Sequence, residues 1–166
     1  MMIRELPRRV GVVLALLVVG GCSVSVYVRS ADETRYLQTW KRDWEPIIAH
    51  SQPLRPTGSS PGVCNAGGSQ RLCHDTSGVL LRDYGKLSQD LQGAWIPPSL
   101  RSANGQVQRA LGQVIQGLGL RISAIENIDD AAWQQANDVL RMAEAAMVRA
   151  YEGYPADLKP LPPPYL

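Results

Sequence analysis

Between residues 31 and 153 the apolar positions recur with a helical period, and no stretch shows the two-residue alternation of a strand. Leu37, Trp40, Trp44, Ile47 and Ile48 share one face of a segment running from about 31 to 51. Pro46 falls inside it and is expected to kink or restart the helix, because proline lacks the amide donor and clashes with the preceding turn. Leu80, Tyr84, Leu87 and Leu91 mark a second helix from about 77 to 92. The turn GAWIPPS stops it, with Ser99 placed to cap the next helix.

The third segment is the longest. Leu100, Val107, Leu111, Val114, Leu118, Ile122 and Ile125 form a stripe over about 28 residues, which is roughly 40 Å of helix. Asp129 and Asp130 suit the start of a fourth helix, where negative charge meets the positive end of the helix dipole. Trp133, Leu140, Met147 and Tyr151 line one side of that helix. Ala132, Ala136, Ala143 and Ala150 line the adjacent side, where small residues allow a neighbouring helix to come close. Gly153 and Pro155 end it, and the tail PADLKPLPPPYL is too proline-rich for helix or sheet.

These patterns predict an all-α fold, an antiparallel bundle of about four helices over 31–153, followed by a Pro-rich tail over 154–166. Between the first two helices, Cys64 and Cys73 bracket the sequence CNAGGSQRLC. Gly67 and Gly68 let this chain fold back, so a disulfide-closed loop is the economical reading in an oxidising compartment. A redox pair or a metal site is the alternative, although only His74 and Asp75 are at hand as further ligands.

The N-terminal pattern is different. MMIRELPRR carries three arginines against one glutamate, and ten uncharged, mostly aliphatic residues follow from Val10 to Val19. That order and length match an export signal. The run ends in Val19-Gly20-Gly21-Cys22, an aliphatic residue, two small ones and a cysteine, which resembles the lipobox of bacterial lipoproteins. The resemblance implies removal of residues 1–21, lipidation of Cys22 with fatty-acyl chains, palmitate among them, and a short linker over 22–30. It covers residues 1–22 only. A retained single-pass anchor is the other reading, since nineteen uncharged residues separate Arg9 from Arg29. Either one puts the helical domain on the extracytoplasmic face of the cell membrane.

Charge then narrows the function classes. The 166 residues hold 17 Lys+Arg and 15 Asp+Glu, and residues 1–21 account for three and one of these, which leaves 14 of each in the remaining 145. A neutral domain without a basic surface does not suit nucleic acid. His50 and His74, the only histidines, have neither a nucleophile nor metal-ligand spacing around them. Asp129 and Asp130 diverge by about 100° on a helix, which makes them a cap and not a catalytic pair. No catalytic residue, metal site or cofactor is therefore assigned.

Tyr36, Trp40 and Trp44 form an aromatic strip that suits either the core or a lipid interface. Gly105, Gly112 and Gly119 are spaced by sevens on one face of the third helix, where glycine costs about 1 kcal/mol each relative to alanine. That cost points to close approach by a neighbouring helix or by a partner, or else to a break in the helix near Gly117 and Gly119. The expectation is a lipid-anchored, non-enzymatic binding module of the cell envelope whose partner is an envelope protein or a small apolar ligand. The alternative is an envelope enzyme or enzyme inhibitor. The two-cysteine loop followed by Leu81, Asp83 and Leu87 resembles small lysozyme-inhibitor lipoproteins over about 25 residues.

Overall fold

The computed structural model describes residues 31–57, 62–65, 67–155 and 159, so Cys22, the leader, the linker and most of the tail lie outside the described residues. Within the described residues the fold is an all-helical bundle of four α-helices with no strand: α1 Ala31–His50, α2 Gln70–Gly93, α3 Arg101–Asn127 and α4 Asp130–Glu152. Short 3-10 turns at Gln52–Leu54 and Pro98–Leu100 precede the loop to α2 and the start of α3.

Three boundaries differ from the sequence expectation. α1 continues through Pro46 to His50, with Pro46 on the exposed face, where a missing amide hydrogen bond is readily compensated by water. α2 begins seven residues earlier than expected, because Ser69 caps it by accepting from the Leu72 amide and because Cys73 and Ser77 extend its buried stripe. Ser99 does not cap α3. It sits in the 3-10 turn, and its hydroxyl donates to Glu33 across the bundle at 3.4 Å. Asp129 does cap α4, its carboxylate accepting from the Ala132 amide at 2.9 Å.

Large rings from α1 fill the centre. Tyr36, Trp40, Trp44 and Ile47 are buried with Leu80, Tyr84, Leu87 and Leu91 of α2, Val107, Leu111, Val114 and Leu118 of α3, and Leu140 and Met147 of α4. The aromatic strip is thus core. Trp40 and Trp44 stack at 5.1 Å between centroids, and Trp44 meets Tyr84 edge-on at 6.0 Å. Tyr154, assigned by sequence to the tail, also belongs to the core. Its ring packs on Trp40 at 6.1 Å and its hydroxyl lies 2.7 Å from that of Tyr36, which donates to Asn104 at 2.8 Å. Burial pushes the Tyr36 hydroxyl up to about 12, with the Tyr154 hydrogen bond working against the shift.

Side-chain pairs fix how neighbouring helices are aligned. Arg42 of α1 meets Asp90 of α2, whereas His50, eight residues further along α1, meets Asp83, seven residues earlier on α2. Between α2 and α3, Ser88 meets Gln108 and His74 meets Glu126. Between α3 and α4, Gly117 lies against Leu140 and Arg121 donates to Asn137.

α3 and α4 pack closely because both present small residues every seven positions. Ala103, Ala110, Gly117 and Ala124 are buried on α3, opposite Ala136, Ala143 and Ala150 on α4. Ala132 is half-buried at the margin. The stripe of α3 is rotated from the expected one at its end: Arg121 and Ala124 are buried, while Ile122 and Ile125 are half-buried. The two helices are joined by Ile128 and Asp129 alone, with Ile128 at φ 52° and 87% exposed.

The loop before α2 is closed by the Cys64–Cys73 disulfide, whose Cα atoms are 4.9 Å apart. Gly67 takes φ 83°, and a Cβ on Gly68 would run into the Val63 carbonyl, so both glycines are required for the reversal. The bond joins this loop to α2 through Cys73, the buried residue of its first turn. None of the helices among the described residues is long and apolar enough to cross a membrane.

Candidate interaction surface

The α2–α3 alignment places two rows of glycines side by side. Taking the Ser88–Gln108 and His74–Glu126 contacts as fixed points, Gly85 of α2 stands about level with Gly112 of α3, and Gly78 stands within one helical turn of Gly119. With about 100° of turn per residue, each row lies just outside the line of those two contacts, on the same outer side of the seam. Leu81 and Ile115, each three or four residues from the glycines of its own helix, are half-buried and packed against the core.

The three glycines singled out by sequence spacing are not held by internal packing. A Cβ on Gly112 or Gly119 would meet nothing within 4 Å, and one on Gly105 would only touch the Arg109 guanidinium at 4.0 Å. Gly78 and Gly85 are equally open. The glycine of α3 that does pack internally is Gly117, where a Cβ would lie 2.7 Å from Leu140 Cγ. Spacing alone did not separate the two glycine sets, and the partnership with Gly78 and Gly85 became visible only once α2 lay alongside.

Polar contacts border the seam. Ser88 donates to Gln108 Oε1 at 3.1 Å, and Gln108 Nε2 donates back to the Ser88 carbonyl at 3.3 Å. Towards the start of α2, His74 bridges Glu126 at 3.2 Å and Asp75 at 3.4 Å, and hydrogen bonds to these two carboxylates raise its pKa above the ordinary value. His50 is likewise paired, with Asp83 at 2.6 Å. Both histidines are thus engaged in surface pairs.

The other side of α2 carries a mixed charge cluster. Asp43, nearly buried, accepts from Arg42 and from Lys86, and both cations also reach Asp90. Burial alone would raise the Asp43 carboxyl, but hydrogen bonds from Arg42 and Lys86 and the charge of Lys86 outweigh it and hold the group at about 2. Next to this cluster an open cleft of about 450 Å³ is lined by Arg35, Tyr36, Thr39, Arg42, Asp90 and the exposed Trp95. Of its charged groups, Arg42 and Asp90 are engaged with each other and with Asp43 and Lys86, and this cluster locks α1 to α2. Among the described residues no group of three or more His, Cys, Asp or Glu side chains is arranged to hold a metal ion.

No known protein family, curated protein or solved structure matches the chain.

Proposed function

We propose that this chain is a lipid-anchored, extracytoplasmic helical module of the cell envelope that acts by binding. Cys22 is its lipidation site and membrane tether, and the helices run alternately in opposite directions, a reading supported by the falling partner numbers along each adjacent pair. Ala31 lies nine positions after Cys22, a reach of about 30 Å at most, so the tether keeps the start of α1 close to the bilayer.

The observation that carries the reading is the open double row of glycines. Each glycine in a helix interior costs about 0.5–1 kcal/mol relative to alanine. Close packing repays that cost at Gly117, but no contact among the described residues repays it at Gly78, Gly85, Gly112 or Gly119. A partner whose backbone lies along the glycine rows gains close approach there, as small-residue helix faces permit. An envelope protein presenting an apolar segment fits this surface better than a compact ligand, because the rows extend over two helical turns on each side.

The test combines stability with binding. Gly85→Ala and Gly112→Ala should each leave the domain folded and slightly more stable, and together should weaken association with the partner recovered by cross-linking in intact envelopes. Unchanged association with the doubly substituted chain would remove the seam from the account.

A further inference from the structure

Arg121 is 5% exposed, on the face of α3 that packs against α4. It continues the buried heptad of Val107 and Val114, at a position where an aliphatic residue would extend the core. Its Nη2 donates to Asn137 Oδ1 at 3.1 Å, and its guanidinium carbon lies 5.8 Å from the centroid of the Trp133 ring. Nε and Nη1 are buried and have no acceptor among the described residues. A guanidinium has five N–H donors and no acceptor, so the single bond to Asn137 leaves most of its capacity unused. Burial pulls the group down to about 10, still protonated at neutral pH, and no carboxylate opposes that shift.

A second unpartnered polar group lies nearby along the bundle. The Ser77 hydroxyl of α2 is fully buried and has no hydrogen-bond partner among the described residues. By the His74–Glu126 alignment, Ser77 is within about one helical turn of the level of Arg121. A buried cation without a counter-ion is unfavourable, and buried hydroxyls ordinarily find partners. The deficit at Arg121 is met by one anionic group entering between α3 and α4.

We propose that Arg121 is the recognition residue of a binding site for a small organic monocarboxylate, which enters beside Trp133. One guanidinium with no second cation in contact matches a single negative charge better than a phosphate dianion. The amide of Ala132 at the start of α4 is already taken by Asp129. The walls are apolar, with Leu118, Ala124, Ala136 and Leu140 buried around this level, so the body of the ligand is apolar. Trp133, half-buried on the first turn of α4, is the movable cover, and its displacement exposes Nε and Nη1. The guanidinium lies between two helices, which favours a free small molecule over a side chain fixed to a partner protein.

The test uses the purified full chain in detergent, titrated with sodium benzoate, with the neutral isostere benzamide and with inorganic phosphate. Benzoate should raise the melting temperature saturably and change the tryptophan fluorescence, while benzamide and phosphate leave both unchanged. Arg121→Met removes the unpaired charge, so it should melt at or above the original temperature and lose the benzoate response. Arg121→Lys keeps the charge without the planar fork and should weaken the response. Trp133→Phe should lose the fluorescence change but keep the thermal shift. A benzoate response surviving in Arg121→Met, an equal response to phosphate, or no response to benzoate overturns the proposal.

Discussion

Gly117 of α3 lies so close to Leu140 of α4 that a Cβ at 117 would stand 2.7 Å from Leu140 Cγ and 3.3 Å from its backbone nitrogen. Five residues earlier on the same helix, a Cβ on Gly112 meets nothing within 4 Å. One added methyl group should therefore have opposite effects at the two sites. Gly112→Ala should stabilise by roughly 0.5–1 kcal/mol through helix propensity and unfolded-state entropy. Gly117→Ala gains the same but must shift Leu140 and its backbone, an overpacking cost of about 1–3 kcal/mol, and should be net destabilising. Urea denaturation of both variants checks the sign. Equal shifts in one direction would mean that the α3–α4 seam is looser than described.

The acid limb of the stability curve should carry the mark of Asp43. Its carboxyl is held at about 2, below the ordinary 3.8, because hydrogen bonds from Arg42 and Lys86 outweigh its burial. A depressed carboxylate contributes stability that is present above 3.8 and is lost as pH falls through about 2. The melting temperature should thus drop across that window. Asp43→Asn should already be less stable at pH 7 and show a shallower decline there. If the two proteins decline in parallel, the Asp43 cluster does not tie α1 to α2.

Reduction should loosen the fold without dissolving it. The Cys64–Cys73 bond closes a loop of nine residues' separation and attaches it to the first turn of α2. Chain-entropy estimates give about 2–3 kcal/mol for a loop this short. Replacing both cysteines by serine should lower the melting temperature while circular dichroism keeps its helical signal. Thiol labelling of the unreduced, denatured chain should find neither residue free, and full labelling of both would contradict the bridge.

Ile128 offers a gain. A β-branched side chain at φ 52° is disfavoured by roughly 1–2 kcal/mol, and Ile128 is too exposed to recover this by packing. Ile128→Gly relieves the strain but loses more chain entropy on folding, for a net stabilisation of about 0.5–1 kcal/mol. Calorimetry reads the outcome directly. A loss of stability would mean that Ile128 makes contacts that its exposure hides.

Much of this fold is written in helical periodicity, since Trp44, Leu80, Tyr84, Leu111 and Leu140 all fall on the stripes that mark them as core. What was missed depends on contacts far apart in sequence. The first turns of α2 bury no large apolar residue, Leu72 being exposed, so its start escaped notice, although Cys73 and Ser77 continue the spacing of Leu80 and Leu87. Tyr154 looked like tail because Gly153 and Pro155 surround it, and only its bonds to partners more than 100 residues away place it inside. Gly112 and Gly117 cannot be told apart until α4 is seen to face one and not the other. Arg121 did leave a trace, as a charged residue seven positions after Val114 on a buried stripe.

The most direct measurement of the binding role is site-directed photo-cross-linking of the full chain in its native membrane. Gln116 is exposed, four residues after Gly112 and three before Gly119, so a photoreactive side chain there stands on the rim of the seam. Arg149, exposed on α4, serves as the comparison position. Discrete adducts are predicted from position 116 and none from 149, and Gly112→Leu should abolish them by filling the seam. Adducts that form equally at both positions, or that persist with Gly112→Leu, would contradict the account.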